Sequence, residues 1–137
     1  MDDHYLFLNS DLSKDRYPTN RPGEFTVELP HPYDLRGQWV CGLKEIRISL
    51  TEDALYVCSD VCGESYAENT MLPVLRILQK PKDKSVPTYF HFDNPIYVKI
   101  SSTILNRIRI FIRGSQLGQP NITDPIVRCT LHLKPWM

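Results

Sequence analysis

The chain has 137 residues, 42% hydrophobic and 23% charged, and a formal net charge of +0. This is the composition of one globular domain, 1–137, able to bury a core without disulfide or metal staples. It excludes a membrane span, because no run of about 18 apolar residues occurs, and it disfavours unselective nucleic-acid binding, because no cationic excess exists to release counterions.

The chain begins MDDHYLFLNS, acidic and without an apolar stretch of signal-peptide length. A protein that is not secreted, with four reduced cysteines, is therefore expected. HYLFLN, 4–9, reads as a short strand ending in a loop, Ser10 to Gly23, that Pro18 and Pro22 keep from being helical. Phe25, Val27 and Leu29 alternate with Thr26 and Glu28 as a half-buried strand, which Pro30 and Pro32 are expected to stop. Trp39, Cys41 and Leu43 open another. Its phase then slips to Ile46, Ile48 and Leu50, which predicts a bulge near Lys44 and Glu45.

ALYVC at 54–58 is a further strand, and the polar stretch Ser59 to Asn69 is the place expected to hold a helical turn. PVLRILQ at 73–79 reads as strand, followed by a charged loop, KPKDKSVP. YFHF and IYVKI flank the turn signal Asp93-Asn94-Pro95. In ILNRIRIFIRG, Ile108, Ile110 and Ile112 share one face, while Arg107, Arg109, Phe111 and Arg113 share the other. After a long connection, Gly114 to Pro125, the segment IVRCTLHLK sets Val127, Cys129, Leu131 and Leu133 against Arg128, Thr130, His132 and Lys134. About eight short strands and almost no helix predict an all-β fold, an antiparallel β-sandwich of jelly-roll type. The expected core is Phe25, Val27, Leu29, Trp39, Leu43, Ile46, Ile48, Ile108, Ile110, Ile112, Leu131 and Leu133.

Charge divides the chain: residues 1–70 hold 6 Lys+Arg against 13 Asp+Glu, and residues 71–137 hold 10 against 3. Either the halves interleave and their charges mix, or the poles stay apart and help subunits dock. Cys58, Cys62, Cys129 and His132 suggest four zinc ligands at first sight. Cys129 and His132, three apart on an alternating strand, point to opposite faces, so no metal is expected. None of the four histidines lies in a nucleophile or metalloprotease motif, and no catalytic residue or cofactor is expected. Asn121-Ile122-Thr123 is a glycosylation sequon, read as accidental without a signal peptide. The row Arg107, Arg109, Arg113 with Phe111 is a candidate contact surface: a solvated or guarding face, a protein contact, or a site for single-stranded nucleic acid.

FTVELPHPYDLRGQWVCGLKEI, taken whole, resembles a pattern of short capsid-type proteins of Maverick/Polinton-type DNA elements and their adintovirus-like relatives. The matching positions are Phe25, Leu29, Pro30, Pro32, Leu35, Gly37, Trp39, Gly42, Leu43, Glu45 and Ile46. Ile108, Ile110, Ile112, Gly118, Leu131, His132, Leu133 and Lys134 extend the resemblance towards the C-terminus. Cys41-Gly42 departs from it, where a small residue and Ala are usual. The resemblance implies a non-enzymatic virion component: a minor capsid or penton-like vertex subunit that forms a homo-oligomer, a pentamer above all, and contacts a major capsid protein. It implies a virion location, with host cytoplasm or nucleus during assembly. Both long loops are then expected contact segments, with Gln116 and Asn121 among the interface residues beside Arg107, Arg109, Phe111 and Arg113. Two other readings stand beside it. One is a monomeric lectin-like or peptide-binding sandwich using Tyr17, Tyr33 or Tyr66; the other is a small nucleic-acid-binding barrel using the arginine row.

Overall fold

The computed structural model describes residues 3–67, 69–80, 89–101 and 103–136. The charged loop after Gln79 lies almost wholly outside them, as does the side chain of Tyr66. The strands are β1 (His4–Asn9), β2 (Glu24–Asp34), β3 (Trp39–Arg47), β4 (Ala54–Ser59), β5 (Ser65–Ala67), β6 (Thr70–Leu72), β7 (Val74–Gln79), β8 (Tyr89–His91), β9 (Tyr97–Lys99), β10 (Ile104–Arg113) and β11 (Arg128–Pro135). Among the described residues no helix is long and apolar enough to cross a membrane.

Two antiparallel sheets form a sandwich. One runs β1-β11-β3-β8, with β9 also paired to β3; the other runs β2-β10-β4-β7. The pairing is nested: β1 with β11, β2 with β10, β3 with β8 and β9, β4 with β7. A long hairpin wound over itself gives this order, which is the strand order of a jelly roll. Every one of these pairs joins the acidic half of the chain to the basic half, so the charges interleave strand by strand.

The alternating apolar positions meet between the sheets. Phe25, Val27, Leu29, Trp39, Leu43, Ile46, Ile48, Ile108, Ile110, Ile112, Leu131 and Leu133 are all buried in one core, with Leu6, Leu8, Leu35, Leu55 and Leu78. Burying each of the large side chains is worth about 1.5–3 kcal/mol. The phase slip in β3 is a bulge: Thr130 pairs with Glu45 and Leu131 with Leu43, leaving Lys44 as the extra residue.

Two expectations need correction. Pro30 and Pro32 do not stop β2, which continues to Asp34. Its register jumps from Glu28–Arg107 to Tyr33–Leu105, so both prolines lie in a bulge on an edge strand, where no ladder N–H is demanded of them. Residues 59–69 hold no helical turn among those described. Ser65–Ala67 and Thr70–Leu72 pair antiparallel as β5 and β6, with Asn69 in the left-handed region at φ 65°, which asparagine tolerates. The one helical element among the described residues is a short 3-10 turn, Ser115–Leu117. There Gln116 and Leu117 take φ 57° and 62° in succession. Left-handed backbone costs a non-glycine residue about 1–2 kcal/mol. Gln116 is exposed, so Gln116→Gly is expected to raise stability by up to about 1 kcal/mol in a urea titration.

Candidate interaction surfaces

The arginine row is not a free basic stripe. Arg109 Nη2 donates to Glu24 Oε2 at 2.6 Å, and Arg113 Nη2 stands 3.6 Å from Glu24 Oε1. Both guanidinium groups lie over the Phe111 ring, 4.4 and 4.7 Å from its centroid. Phe111, expected at an interface, is only 5% exposed beneath them. Arg107 is exposed and faces Glu28 in register. The hydrogen bond from Arg109 holds the Glu24 carboxyl below its ordinary range, against the opposing effect of burial. The stabilisation is therefore full above about pH 4.5 and is lost as pH falls through the depressed value. Glu24→Gln is expected to cost about 1 kcal/mol at pH 7, with the gap to wild type closing in acid, as read from denaturation midpoints across pH.

The two long loops meet at one end of the sandwich. Arg21, Pro22 and Gly23 of the first, and Gln119, Pro120 and Ile122 of the second, line a hollow of about 210 Å³ beside Ile112 and Arg113. Val127 N donates to Ser10 Oγ, and Asp124 Oδ2 accepts from Ser49 N, which ties the second loop down. Gln116 and Asn121 are exposed on it. The first loop has a structural task as well. The Asn20 amide donates to Thr26 O and accepts from Thr26 N, and Ser13 Oγ accepts from Glu28 N, so the loop satisfies the outer edge of β2.

Among the described residues β1 has no such cover and is hydrogen-bonded only on its β11 side; its alternate side chains Tyr5 and Phe7 project outward, Phe7 being 72% exposed. Leu12 is exposed nearby, and a groove of about 280 Å³ runs between β1 and β2 past Leu6, Val27, Leu29 and Tyr33. At the opposite edge of the same sheet Tyr89 and Ile96 are exposed, Ile96 by 57%. Sequence reading missed these residues. The signal was the alternation within HYLFLN, where burial of Leu6 and Leu8 obliges Tyr5 and Phe7 to face out.

The outer face of this sheet is laid with polar contacts. His132 Nδ1 lies 2.7 Å from Tyr97 Oη and its Nε2 lies 2.9 Å from Asp3 Oδ2, with the Tyr5 ring stacked on it at 4.5 Å. A neutral imidazole satisfies both partners if it accepts from Tyr97 and donates to Asp3. Burial pushes the Tyr97 phenol up, which works against a tyrosinate nucleophile, so these contacts serve to tie β1, β9 and β11 together. Gly42 makes this possible, for a Cβ there would stand 3.0 Å from the Tyr97 ring that crosses it. Glu45 accepts from Tyr89 Oη at 2.6 Å and from Thr130 Oγ1 at 3.1 Å, and the Tyr89 bond holds its carboxyl low.

The suspected ligand quartet does not converge. Cys129 packs in the core while His132 faces out, and the described residues hold no group of three or more side chains placed to bind a metal. All four cysteines are free and buried. Burial pushes Cys58 and Cys129 up to about 12 and Cys62 up to about 11. Native protein is accordingly expected to react with a maleimide at pH 7.5 only on unfolding, when all four thiols label, as counted by mass spectrometry. Tyr17 donates to Glu28 Oε2, and Tyr33 packs against His4 and His31.

Fold and surface define an all-β jelly roll with exposed apolar groups at both edges of one sheet, and others at Met71, Ile77 and Ile104 elsewhere. No family model matches the chain, and no curated protein matches its sequence.

Proposed function

We propose that the protein is a structural subunit of a virus-like particle, a minor capsid or penton-like vertex protein without enzymatic activity. The observation that carries this reading is the pair of exposed apolar edges, Tyr5 and Phe7 on β1 and Tyr89 and Ile96 on the β8–β9 side, set on a jelly-roll frame. Ring closure demands two different, complementary patches on each subunit, because every contact is head to tail. Two edges of one sheet supply such a pair. The likeness of the Phe25 to Ile46 stretch to capsid-type proteins of Maverick/Polinton elements supports the same reading and favours five subunits. The loop end, with Gln116 and Asn121, is then the surface left for a major capsid protein, and the assembled protein belongs to the virion.

Phe7→Asp and Ile96→Asp, each placing a charge in an apolar contact, are expected to shift the oligomer to monomer in size-exclusion chromatography. Met71→Asp, on the exposed β6 hairpin, is expected to leave it intact. Unchanged assembly in both edge variants would remove the edges from the interface.

A further inference from the structure

The outer face of the β1-β11-β3-β8 sheet carries a cationic hollow beside its β9 edge. Register sets Lys134, Val40 and Lys99 in one row across β11, β3 and β9, with His132, Gly42 and Tyr97 in the next row. Side chains two apart on a strand share a face. Neighbouring strands stand about 4.8 Å apart, so the two lysine stems rise roughly 10 Å from one another across Val40. Lys134 Nζ lies 4.1 Å from the Tyr97 ring centroid, and Lys99 Nζ lies 4.5 Å from that of Trp136, itself 51% exposed. Val40, Tyr97, Lys99, Lys134 and Trp136 together line a hollow of about 510 Å³.

Among the described residues no carboxylate lines this hollow. Among the described residues neither lysine takes part in an ion pair, whereas Arg109 and Arg113 are both held by Glu24. An ammonium resting on an aromatic face keeps its full charge and its donors for an incoming anion. Between the two charges lie an aliphatic floor and two ring faces. The matching ligand bears two negative charges and an apolar side chain.

We propose that this hollow binds an extended acidic peptide segment, with two carboxylates four residues apart and an apolar residue midway between them, all three on one face. Carboxylates four residues apart in an extended chain stand roughly 13 Å apart on one face, within reach of two flexible lysine stems that rise roughly 10 Å from one another. The apolar residue then meets Val40 and the Trp136 ring. A nucleic acid fits less well. Two cations release too few counterions to hold a phosphate backbone, and a strand tracking across the face would meet the Asp3 and Glu45 carboxylates. The hollow borders the proposed β8–β9 contact edge, since Tyr97 and Lys99 belong to β9.

Trp39 is buried with Nε1 bonded to Arg36 O, so a fluorescence change on ligand addition reports the exposed Trp136. The probe is an end-blocked five-residue peptide with aspartate at positions 1 and 5, leucine at position 3 and serine at positions 2 and 4, titrated at low salt and checked by calorimetry. Saturable binding is expected, at least tenfold weaker in a variant combining Lys99→Gln and Lys134→Gln, and absent for the same peptide with asparagine in place of aspartate. Equal affinity in wild type and the double variant would overturn the proposal. So would the absence of saturation at millimolar peptide, or tighter binding of a twelve-residue oligothymidylate than of the peptide.

Discussion

Trp39→Ala is expected to lower folding stability by about 3–5 kcal/mol, the range for truncating a large buried aromatic side chain. Trp39 opens β3 and is almost wholly buried in the core between the sheets. Its indole N–H donates to Arg36 O at 3.0 Å, and the His4 ring stacks on it at 5.3 Å with an interplanar angle of 9°. Its carbonyl accepts from Ile100 N, which brings in the chain leaving β9. Alanine keeps the backbone bonds but leaves a void under β1 that rigid strands on both sides cannot collapse into. A urea titration is the check, with the midpoint falling at constant slope. A loss below about 1 kcal/mol would contradict the placement of the ring.

Gly42→Val is expected to cost about 2–4 kcal/mol, through overpacking and a lost buried hydrogen bond together. A Cβ at Gly42 would stand 2.9 Å from Pro95 Cβ and 3.0 Å from two atoms of the Tyr97 ring. Tyr97 is anchored on both sides, by the pairing of β9 with β3 and by its hydroxyl contact with His132. The ring must leave, and with it goes the contact that joins β9 to β11. Gly63→Ala is the control, since nothing lies within 4 Å of its added Cβ, and a change within about 0.5 kcal/mol is expected there. Adding Tyr97→Ala to Gly42→Val removes the ring's share of the obstruction and leaves Pro95, so the double variant should lose less than the sum of the singles.

Much of the framework is legible in the sequence because a buried strand face writes itself as alternation. Ile108, Ile110 and Ile112 declare their face, and the slip from Leu43 to Ile46 marks the bulge at Lys44. Pro30 and Pro32 mislead because proline forbids a central strand but not a bulged edge, and edge position is a property of strand order. The nested pairing is equally hidden, since alternation within a strand carries no record of its neighbour. The surface is harder still. Arg109, Arg113 and Phe111 read as an exposed stripe because Glu24, their partner, lies 85 positions away from Arg109 in the chain. Tyr5 and Phe7 were written into the first strand, yet only the one-sided pairing of β1 makes them a contact surface. Lys99 and Lys134 sit on separate strands, and β3 between them is what makes them a pair.

The most direct test of subunit assembly is the solution mass of the purified chain, measured by multi-angle light scattering over a range of concentrations. Ring assembly predicts a discrete closed species, five times the subunit mass, that persists on dilution and falls to one subunit with Phe7→Asp. A strict monomer at high concentration would contradict it.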